Sequence, residues 1–532
     1  MRDELQLRVF ENRVFYFVII IWFISILYRL NFYDNSMPVL MDSLNFFSYA
    51  TDTHVLGNLP ENYTVAKPGW SILLAGLFSI FNFENTQSYM QLQSITSLIV
   101  STLVIFPLYF LSKIFFERKY SLIVISFFAL EPHLIQNSLL GTTEPLYLLC
   151  LVTSLFLFLS NNNKLVYVSF IVAGIATTVR PEGIFLFIAM SAMLIFRFRK
   201  ERKSIMKYFL AIFLFVIVLI PITIHNEDVN PGSSIFNRVL STLDLLYTSQ
   251  NNLELSPDEQ VINEAPEFSF TAGLMNFSKF LGWAMIPMFI ISLPIGFVLF
   301  FRGLSYDKLT LIVVTIITAI PAFYVYSYLP NLDIRYLYLL FPLFCIFSVL
   351  PIKLFFERIK NGNKIIIVTI LIIISSSIIF YNYELDSQHD KEALLIAQRI
   401  VDSTTMVNTY YPESIFIKSL DLPEEWLDFK NFYKNSERTK GDLLEDLPHK
   451  IKGINPDKFD TLESFIVTYD KQFSHIITDS MENRPEFLKD VFQHEDKYPY
   501  LIKEWDSSDE DYKYHVKIFR IDYELFNSEI EK

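Results

Sequence analysis

Residues 69–83, Gly-Trp-Ser-Ile-Leu-Leu-Ala-Gly-Leu-Phe-Ser-Ile-Phe-Asn-Phe, decide how this chain is laid out. The stretch is apolar but falls short of the roughly 20 residues that cross a bilayer as a helix. If it spans, every later segment inverts, and the basic cluster Arg197, Arg199, Lys200, Arg202, Lys203 and Lys207 lies outside the cell, against the positive-inside rule. If it rests on the outer surface, the basic connections all face the cytoplasm. These carry Lys113, Arg118 and Lys119; Lys164; the 197–207 cluster; Arg302 and Lys308; and Lys353, Arg358, Lys360 and Lys364. The surface reading is therefore the consistent one.

Working outward, apolar runs occur at 14–28, 91–112, 120–130, 145–160, 165–179, 184–196, 208–224, 280–301, 309–328, 336–352 and 365–381. Arg2, Arg8 and Arg13 precede the first run, and no small-residue cleavage site follows it, so it reads as a retained helix with a cytoplasmic N-terminus. The expectation is a polytopic α-helical membrane domain over 1–382 with about eleven spanning helices. An outer loop at 31–67, a turn at 131–144, an outer loop at 225–276 and an extracytoplasmic C-terminal domain follow from that topology. Both N-x-S/T sequons, at Asn62 and Asn276, also fall outside.

Composition agrees with two regions in different solvents. Hydrophobic residues make up 52% of 532, charged residues only 19%, and the mean hydropathy is +0.34, which excludes an ordinary soluble enzyme. The net charge of −13 is a property of the tail: from Tyr383 onward 33 Asp and Glu face 19 Lys and Arg, whereas the remainder has 24 against 25. Cys150 and Cys345 both lie in apolar runs and form no disulfide framework or zinc pattern. Within 383–532, residues 464–469, 474–479 and 513–522 read as strands and 391–401 as helix, giving a small α/β domain.

Charge inside a bilayer costs about 2.5 to 3.5 kcal/mol per residue and usually marks an ion path. Here the ionisable groups gather instead at the predicted outer helix ends: Asp42, Lys67, Glu131, His133, Glu144, Arg180, Glu182, His225, Asp333 and Arg335. Carboxylates and cations beside long apolar helices suit a lipid phosphate carrying a sugar, with the chain between helices and the phosphate on Lys or Arg. Phosphate leaves readily once paired with cations, so glycosyl transfer needs mainly one carboxylate to deprotonate an acceptor hydroxyl.

The motifs resemble the GT-C membrane glycosyltransferases, especially the protein O-mannosyltransferase and aminoarabinose transferase branch with its bacterial and archaeal relatives. Met41-Asp42-Ser43 leads through Phe46, Phe47 and Tyr49 to Lys67-Pro68-Gly69-Trp70. Thr142-Thr143-Glu144-Pro145, Thr178-Val179-Arg180-Pro181-Glu182-Gly183 and Arg335-Tyr336-Leu337 follow in the family's order. The resemblance implies a polyprenyl- or dolichyl-phosphate sugar donor, inverting transfer at the outer face and Asp42 as base. It also implies a surface helix at 69–83, Glu144 as the second carboxylate, and Lys67, Arg180, Glu182, Arg335 and Tyr336 at the substrate. Asp42-Ser43 stands where the mannosyltransferases have adjacent acids. No Trp-Trp-Asp-Tyr-Gly motif is present, and Trp426-Leu427-Asp428-Phe429 only echoes it, which disfavours an oligosaccharyltransferase.

Each residue also has a plainer role. Asp42 would otherwise be a solvated loop acid, with Asp34 and then Asp52 competing for the base. Glu144 suits any helix N-terminus, and Lys67, Arg180 and Arg335 could simply snorkel. His54, His133 and the group His225, Glu227 and Asp228 carry the ligand types of a divalent metal, yet their spacing matches no established site and a wetted role is preferred. The aromatic excess, including Phe46, Phe47, Tyr49, Tyr324, Tyr326 and Tyr328, reads first as an interfacial belt and second as a sugar platform.

The expected partners are a lipid-linked sugar, a protein, lipid or glycan acceptor and membrane lipid, with no nucleic acid and no required cofactor beyond that candidate metal. A transporter or flippase of lipid-linked saccharides is the alternative, disfavoured because transporters place polar groups at the midplane. A bare membrane anchor for the acidic tail leaves most of the helices unexplained.

Overall fold

The computed structural model describes residues 2–229 apart from 41, 62, 66, 82, 84 and 200–202, and 268–384 apart from 284–286, 329–333 and 359–361. Beyond these it describes 388–403, 409–412, 415, 456, 459–468, 473–481, 484–510 and 512–530. By internal contacts the chain divides into two compact units. One comprises Met1–Tyr33, Asn45–Asn82 and Gln91–Glu384; the other comprises Asp34–Leu44, Phe83–Met90 and Leu385–Lys532.

The first unit is helical throughout, and two of its helices begin within segments of the second unit, at Asp42 and Thr86. In chain order the helices are α1 (Arg2–Phe32), α2 (Asp42–Leu56), α3 (Pro68–Ile80), α4 (Thr86–Leu103), α5 (Ile105–Ser112), α6 (Arg118–Ala129), α7 (Pro132–Leu139), α8 (Glu144–Phe158) and α9 (Asn163–Val179). There follow α10 (Gly183–Phe198), α11 (Ser204–Val229), α12 (Phe270–Trp283), α13 (Pro287–Phe300), α14 (Tyr306–Tyr328), α15 (Arg335–Tyr338), α16 (Phe341–Phe356) and α17 (Gly362–Glu384). Every apolar run read from the sequence lies mainly on helix. Among the described residues four helices pass for membrane spans by length and composition: Phe15–Phe32, Thr86–Ser112, Ser204–Val229 and Tyr306–Ser327. The pair Arg118–Ala129 and Pro132–Leu139 passes only when its two helices, bent by 53°, are taken together, and the other runs fall on shorter apolar helices.

Pro132 explains the bend, since the chain cannot continue α6 through it, and Glu131 caps the new helix by accepting from Leu134 N at 2.8 Å. The stretch read as a turn at 131–144 is thus partly helix α7. Inside the unit, α8 packs on α9, α9 on α11, α10 on α14 and α13 on α16. Their shared core runs from Val18 to Ile373 and is filled by residues such as Phe127, Phe128, Phe158 and Phe170, all fully buried. The protein is a multi-pass α-helical membrane protein. The loop at 225–276 proves to begin as the end of α11 and to finish in α12, and residues 230–267 lie outside the described residues.

The second unit is a small α/β fold. Helix α18 (Gln388–Ser403) precedes β1 (Thr409–Tyr410), α19 (Leu462–Thr468), β2 (His475–Asp479), α20 (Glu486–Gln493), β3 (Leu501–Asp506), β4 (Val516–Ile521) and α21 (Tyr523–Ile530). The sheet order is β1-β2-β4-β3, with β1 parallel to β2 and the other pairs antiparallel. Because strand side chains alternate, Ile476 and Phe519 join one core with Phe465, Phe487 and Val491. Ile477 and Ile518 join another with Ala393, Ile396, Ala397 and Ile400 of α18.

The expected strands at 474–479 and 513–522 are present as β2 and β4. Residues 464–469 instead lie largely in helix α19: Leu462, Phe465 and Ile466 are buried, and their three- and four-residue spacing puts them on one helical face. Strand β3 escaped the reading because a register shift between Lys503 and Trp505 breaks its alternation.

Candidate active site

Three of the sequence motifs meet in the first unit. Gly69 opens α3 against the end of α9, where a Cβ on it would stand 2.5 Å from Thr178 Oγ1 and 2.8 Å from the Thr178 carbonyl carbon. Only glycine permits that approach. The next residue, Trp70, is fully buried and donates from Nε1 to the Gly141 carbonyl at 3.0 Å, a carbonyl that also accepts from Gln93 Nε2 at 2.8 Å. The Lys-Pro-Gly-Trp stretch is thereby fixed at one side to the segment entering Arg180 and at the other to the segment entering Glu144.

Arg180 ends α9 in an extended conformation, and Glu182 precedes α10. The turn closes through Gly183 N to the Arg180 carbonyl at 2.9 Å, and a Cβ on Gly183 would come 2.6 Å from Thr177 N. Arg180 reaches Glu182 with two nitrogens, NH2 to Oε1 at 2.7 Å and Nε to Oε2 at 3.4 Å, and pairs through NH1 with Glu144 Oε1. The side chains are 3% exposed for Arg180, 4% for Glu144 and 16% for Glu182. A forked guanidinium suits such a double carboxylate contact better than a lysine would. Burial alone would raise the Glu182 pKa, but the attraction and hydrogen bonding of Arg180, with Lys67 adding to them, hold it below the usual value.

Lys67 lies within Coulombic reach of both carboxylates, and Arg335 within reach of Glu144. Lys67 Nζ also sits 5.8 Å from the centre of the Phe46 ring. The five groups Lys67, Glu144, Arg180, Glu182 and Arg335 carry three positive and two negative charges. Tyr336 packs edge-on to Tyr326 of α14, with ring centroids 6.3 Å apart.

Asp42 is the exposed first residue of α2 and belongs to the second unit, as does Asp34. Asp34 is engaged by Lys391 Nζ at 2.8 Å and by Ser36 Oγ and N at 2.6 and 3.0 Å, which lower its pKa to about 2. Asp52 is buried and accepts from Tyr63 OH at 2.6 Å. The aromatics after Asp42 form neither belt nor platform: Phe46, Phe47 and Tyr49 are buried, with Phe47 against Phe78 and Tyr49 against Tyr63. Asp333 lies outside the described residues.

The histidines do not converge on a metal. His54 pairs with Ser79 Oγ at 3.1 Å, His133 with Glu131 at 3.2 Å and His225 with Tyr49 OH at 3.4 Å, and no group of three metal-ligating residues occurs among the described residues. Of the sequons, Asn276 sits in α12 and donates to the Tyr326 carbonyl at 3.0 Å, while Asn62 lies outside the described residues.

Sequence reasoning missed Arg29. It occupies the last turn of α1, is fully buried, and donates to the Ala129 carbonyl at 2.8 Å and to Ser138 Oγ at 3.1 Å, besides Ser25. An arginine at a helix end predicted to face outward, against the positive-inside rule, was the available signal.

Residues 67–225, the segment holding the Lys67, Glu144 and Arg180 motifs, match the family model described as dolichyl-phosphate-mannose-protein mannosyltransferase. Among solved structures, the oligosaccharyltransferase of Archaeoglobus fulgidus, crystallised with Zn and sulfate, aligns with a TM-score of 0.57 at 13% identity, covering 87% of this chain and 68% of that one. Apo ArnT from Cupriavidus metallidurans aligns at 0.50 and 10% identity, over 96% of this chain and 98% of that one. No curated protein matches the sequence. The two findings agree: residues 67–225 are similar in sequence to the dolichyl-phosphate-mannose-protein mannosyltransferase family model, and the chain shares its fold with the archaeal oligosaccharyltransferase and with ArnT.

Proposed function

We propose that the protein transfers a sugar from a polyprenyl- or dolichyl-phosphate carrier to an acceptor hydroxyl at the extracytoplasmic face, with inversion at the anomeric carbon. The observation that carries this reading is the convergence of Lys67 and Arg335 on the buried Glu144–Arg180–Glu182 knot, inside the segment that matches a family named for a dolichyl-phosphate-mannose donor. Arg180 is committed to two carboxylates and almost fully buried, which favours Lys67 and Arg335 as the groups facing the donor phosphate and gives Arg180 the task of holding them in a net-positive field. Glu144, tied to Arg180, orients the site, and Tyr336 flanks it.

Asp42 is the base. Its exposed carboxylate takes the acceptor proton as the acceptor oxygen bonds to the anomeric carbon and the carbon–phosphate oxygen bond breaks, leaving the carrier phosphate neutralised by the cations. Asp34, with its pKa near 2 and its oxygens occupied by Lys391 and Ser36, is a weaker base. Among the described residues no three His, Cys, Asp or Glu side chains gather as metal ligands. The acceptor is a hydroxyl of protein, lipid or glycan.

Reconstituted in liposomes with a labelled polyprenyl-phosphate sugar, the protein should transfer label to an acceptor. Asp42→Asn should lose at least about a hundredfold in kcat, the usual worth of a general base, while still inserting. Full activity in that variant removes Asp42 from the mechanism.

A further inference from the structure

The short segment that ends in Asp42 is built into the C-terminal α/β unit. Two anchors hold it. Asp34 binds Lys391 of α18 at 2.8 Å, and Leu40 packs against the apolar core formed by Ala393, Ile396, Tyr514 and Ile518. Between them Ser36 folds back on Asp34, Met37 N donates to the Asp34 carbonyl at 3.3 Å, and Val39 is buried. At the far end Ser43 N donates to the Leu40 carbonyl at 3.0 Å.

The tail side of this contact is itself braced. Lys391 stands near the start of α18, where a cation opposes the helix dipole and gains from a facing carboxylate. The adjacent Glu392 is buried and accepts from Tyr514 N at 2.9 Å, which fixes α18 to the chain entering β4. Tyr514 belongs to the same apolar core against which Leu40 packs.

From these contacts we infer that Lys391 and the Leu40 socket are positioning elements: the C-terminal unit clamps residues 34–44 and thereby sets where the Asp42 carboxylate stands. Asp42 is two residues beyond Leu40, a distance of at most about 7 Å along the chain, so a displaced Leu40 carries Asp42 with it. General-base catalysis is sensitive to such displacement: about 1 Å of misplacement can cost a hundredfold. This gives the tail a task in the reaction without any catalytic group of its own, and it rests on the reading of Asp42 as base.

Two readouts on the full-length protein in liposomes test it. In Lys391→Glu and Leu40→Asp, hydrogen exchange within 34–44 should accelerate while exchange in β2 and β4 stays protected. The kcat for transfer should fall about tenfold with the donor KM within about twofold, as expected when a base is misplaced but donor binding is spared. Lys391→Arg should keep the wild-type rate, and Lys391→Asp combined with Asp34→Lys should recover much of the loss.

Unchanged exchange in 34–44 overturns the clamp. Faster exchange with unaltered kcat, in a protein that Asp42→Asn inactivates, overturns the positioning role. An active Asp42→Asn refutes the base assignment instead, and the exchange readout then still decides whether the clamp exists.

Discussion

The two units use the same chemical pair, arginine with carboxylate, in opposite settings. In the membrane unit Arg180 reaches Glu144 across 36 residues of sequence and joins the ends of α8, α9 and α10. In the tail Arg484 binds Asp479 only five residues away, Nε to Oδ1 at 2.8 Å and NH2 to Oδ2 at 2.6 Å, with Tyr514 OH donating to the same carboxylate at 2.7 Å. Residues 1–382 keep 24 acids and 25 bases in near balance, and Arg180, Glu144 and Glu182 are drawn together there into one knot. The tail, with an excess of acids, spreads its ion pairs over a wetted surface, as in Lys497–Asp490 and Arg520–Glu504. Where water is scarce, charges must satisfy one another, and the place where they do so becomes a site.

This contrast can be broken by mutation. Arg180→Ala should have the largest effect, because it takes the directly bonded cation from the buried Glu144 and from the largely buried Glu182: about 3 to 5 kcal/mol of stability and all transfer activity. Denaturant unfolding in detergent measures the first, and a stable, active variant would show the knot to be dispensable. Arg180→Lys should recover little, since an ammonium cannot fork between Glu144 and Glu182.

Arg484→Ala should cost less, about 2 to 3 kcal/mol, because Tyr514 still hydrogen-bonds Asp479. The loss should be confined to the tail, read as faster hydrogen exchange in β2 with exchange in α8 and α9 unaltered.

The smallest effect belongs to Asp34–Lys391, whose side chains are 31% and 53% exposed and whose worth is below about 1 kcal/mol after solvent screening. Lys391 and Ser36 lower the Asp34 pKa to about 2 from 3.8, so the folded form binds its proton less readily than the unfolded one. The stabilisation is therefore complete above about pH 4 and is lost as pH falls through about 2. Comparing tail unfolding in wild type and Asp34→Asn, the gap should persist from pH 8 to 5 and close toward pH 2. A gap that widens on acidification would show that the pair does not form.

Much of this architecture was legible beforehand. The apolar runs became helices because a backbone in lipid must satisfy its own hydrogen bonds, a constraint that acts locally. Residues 69–83 were read as marginal in length, with charge placing them at the outer surface; they lie mainly on α3, a helix of 13 residues. The strand reading of 464–469 failed because a short apolar stretch has no decisive period, whereas Leu462, Phe465 and Ile466 had a helical face to fill against Phe473 and Phe487. Among the aromatics, Phe46, Phe47 and Tyr49 looked like surface groups because composition does not tell which face of α2 is covered; all three are buried, Phe47 against Phe78 of α3 and Tyr49 against Tyr63.

The site divides in the same way. Sequence by itself determined the membrane class, the positions of the helices, the acidic character of the tail and the order of the charged motifs, since each depends on neighbours along the chain. Tertiary structure alone decided that Gly69 lies on Thr178, that Trp70 holds the carbonyl before Glu144, that Arg180 is spent on two carboxylates, and that Asp34 is held by a lysine some 350 residues later. Those contacts depend on close approach between helices and on the cost of leaving a buried charge or donor unmatched, and such terms exist only once the chain has packed.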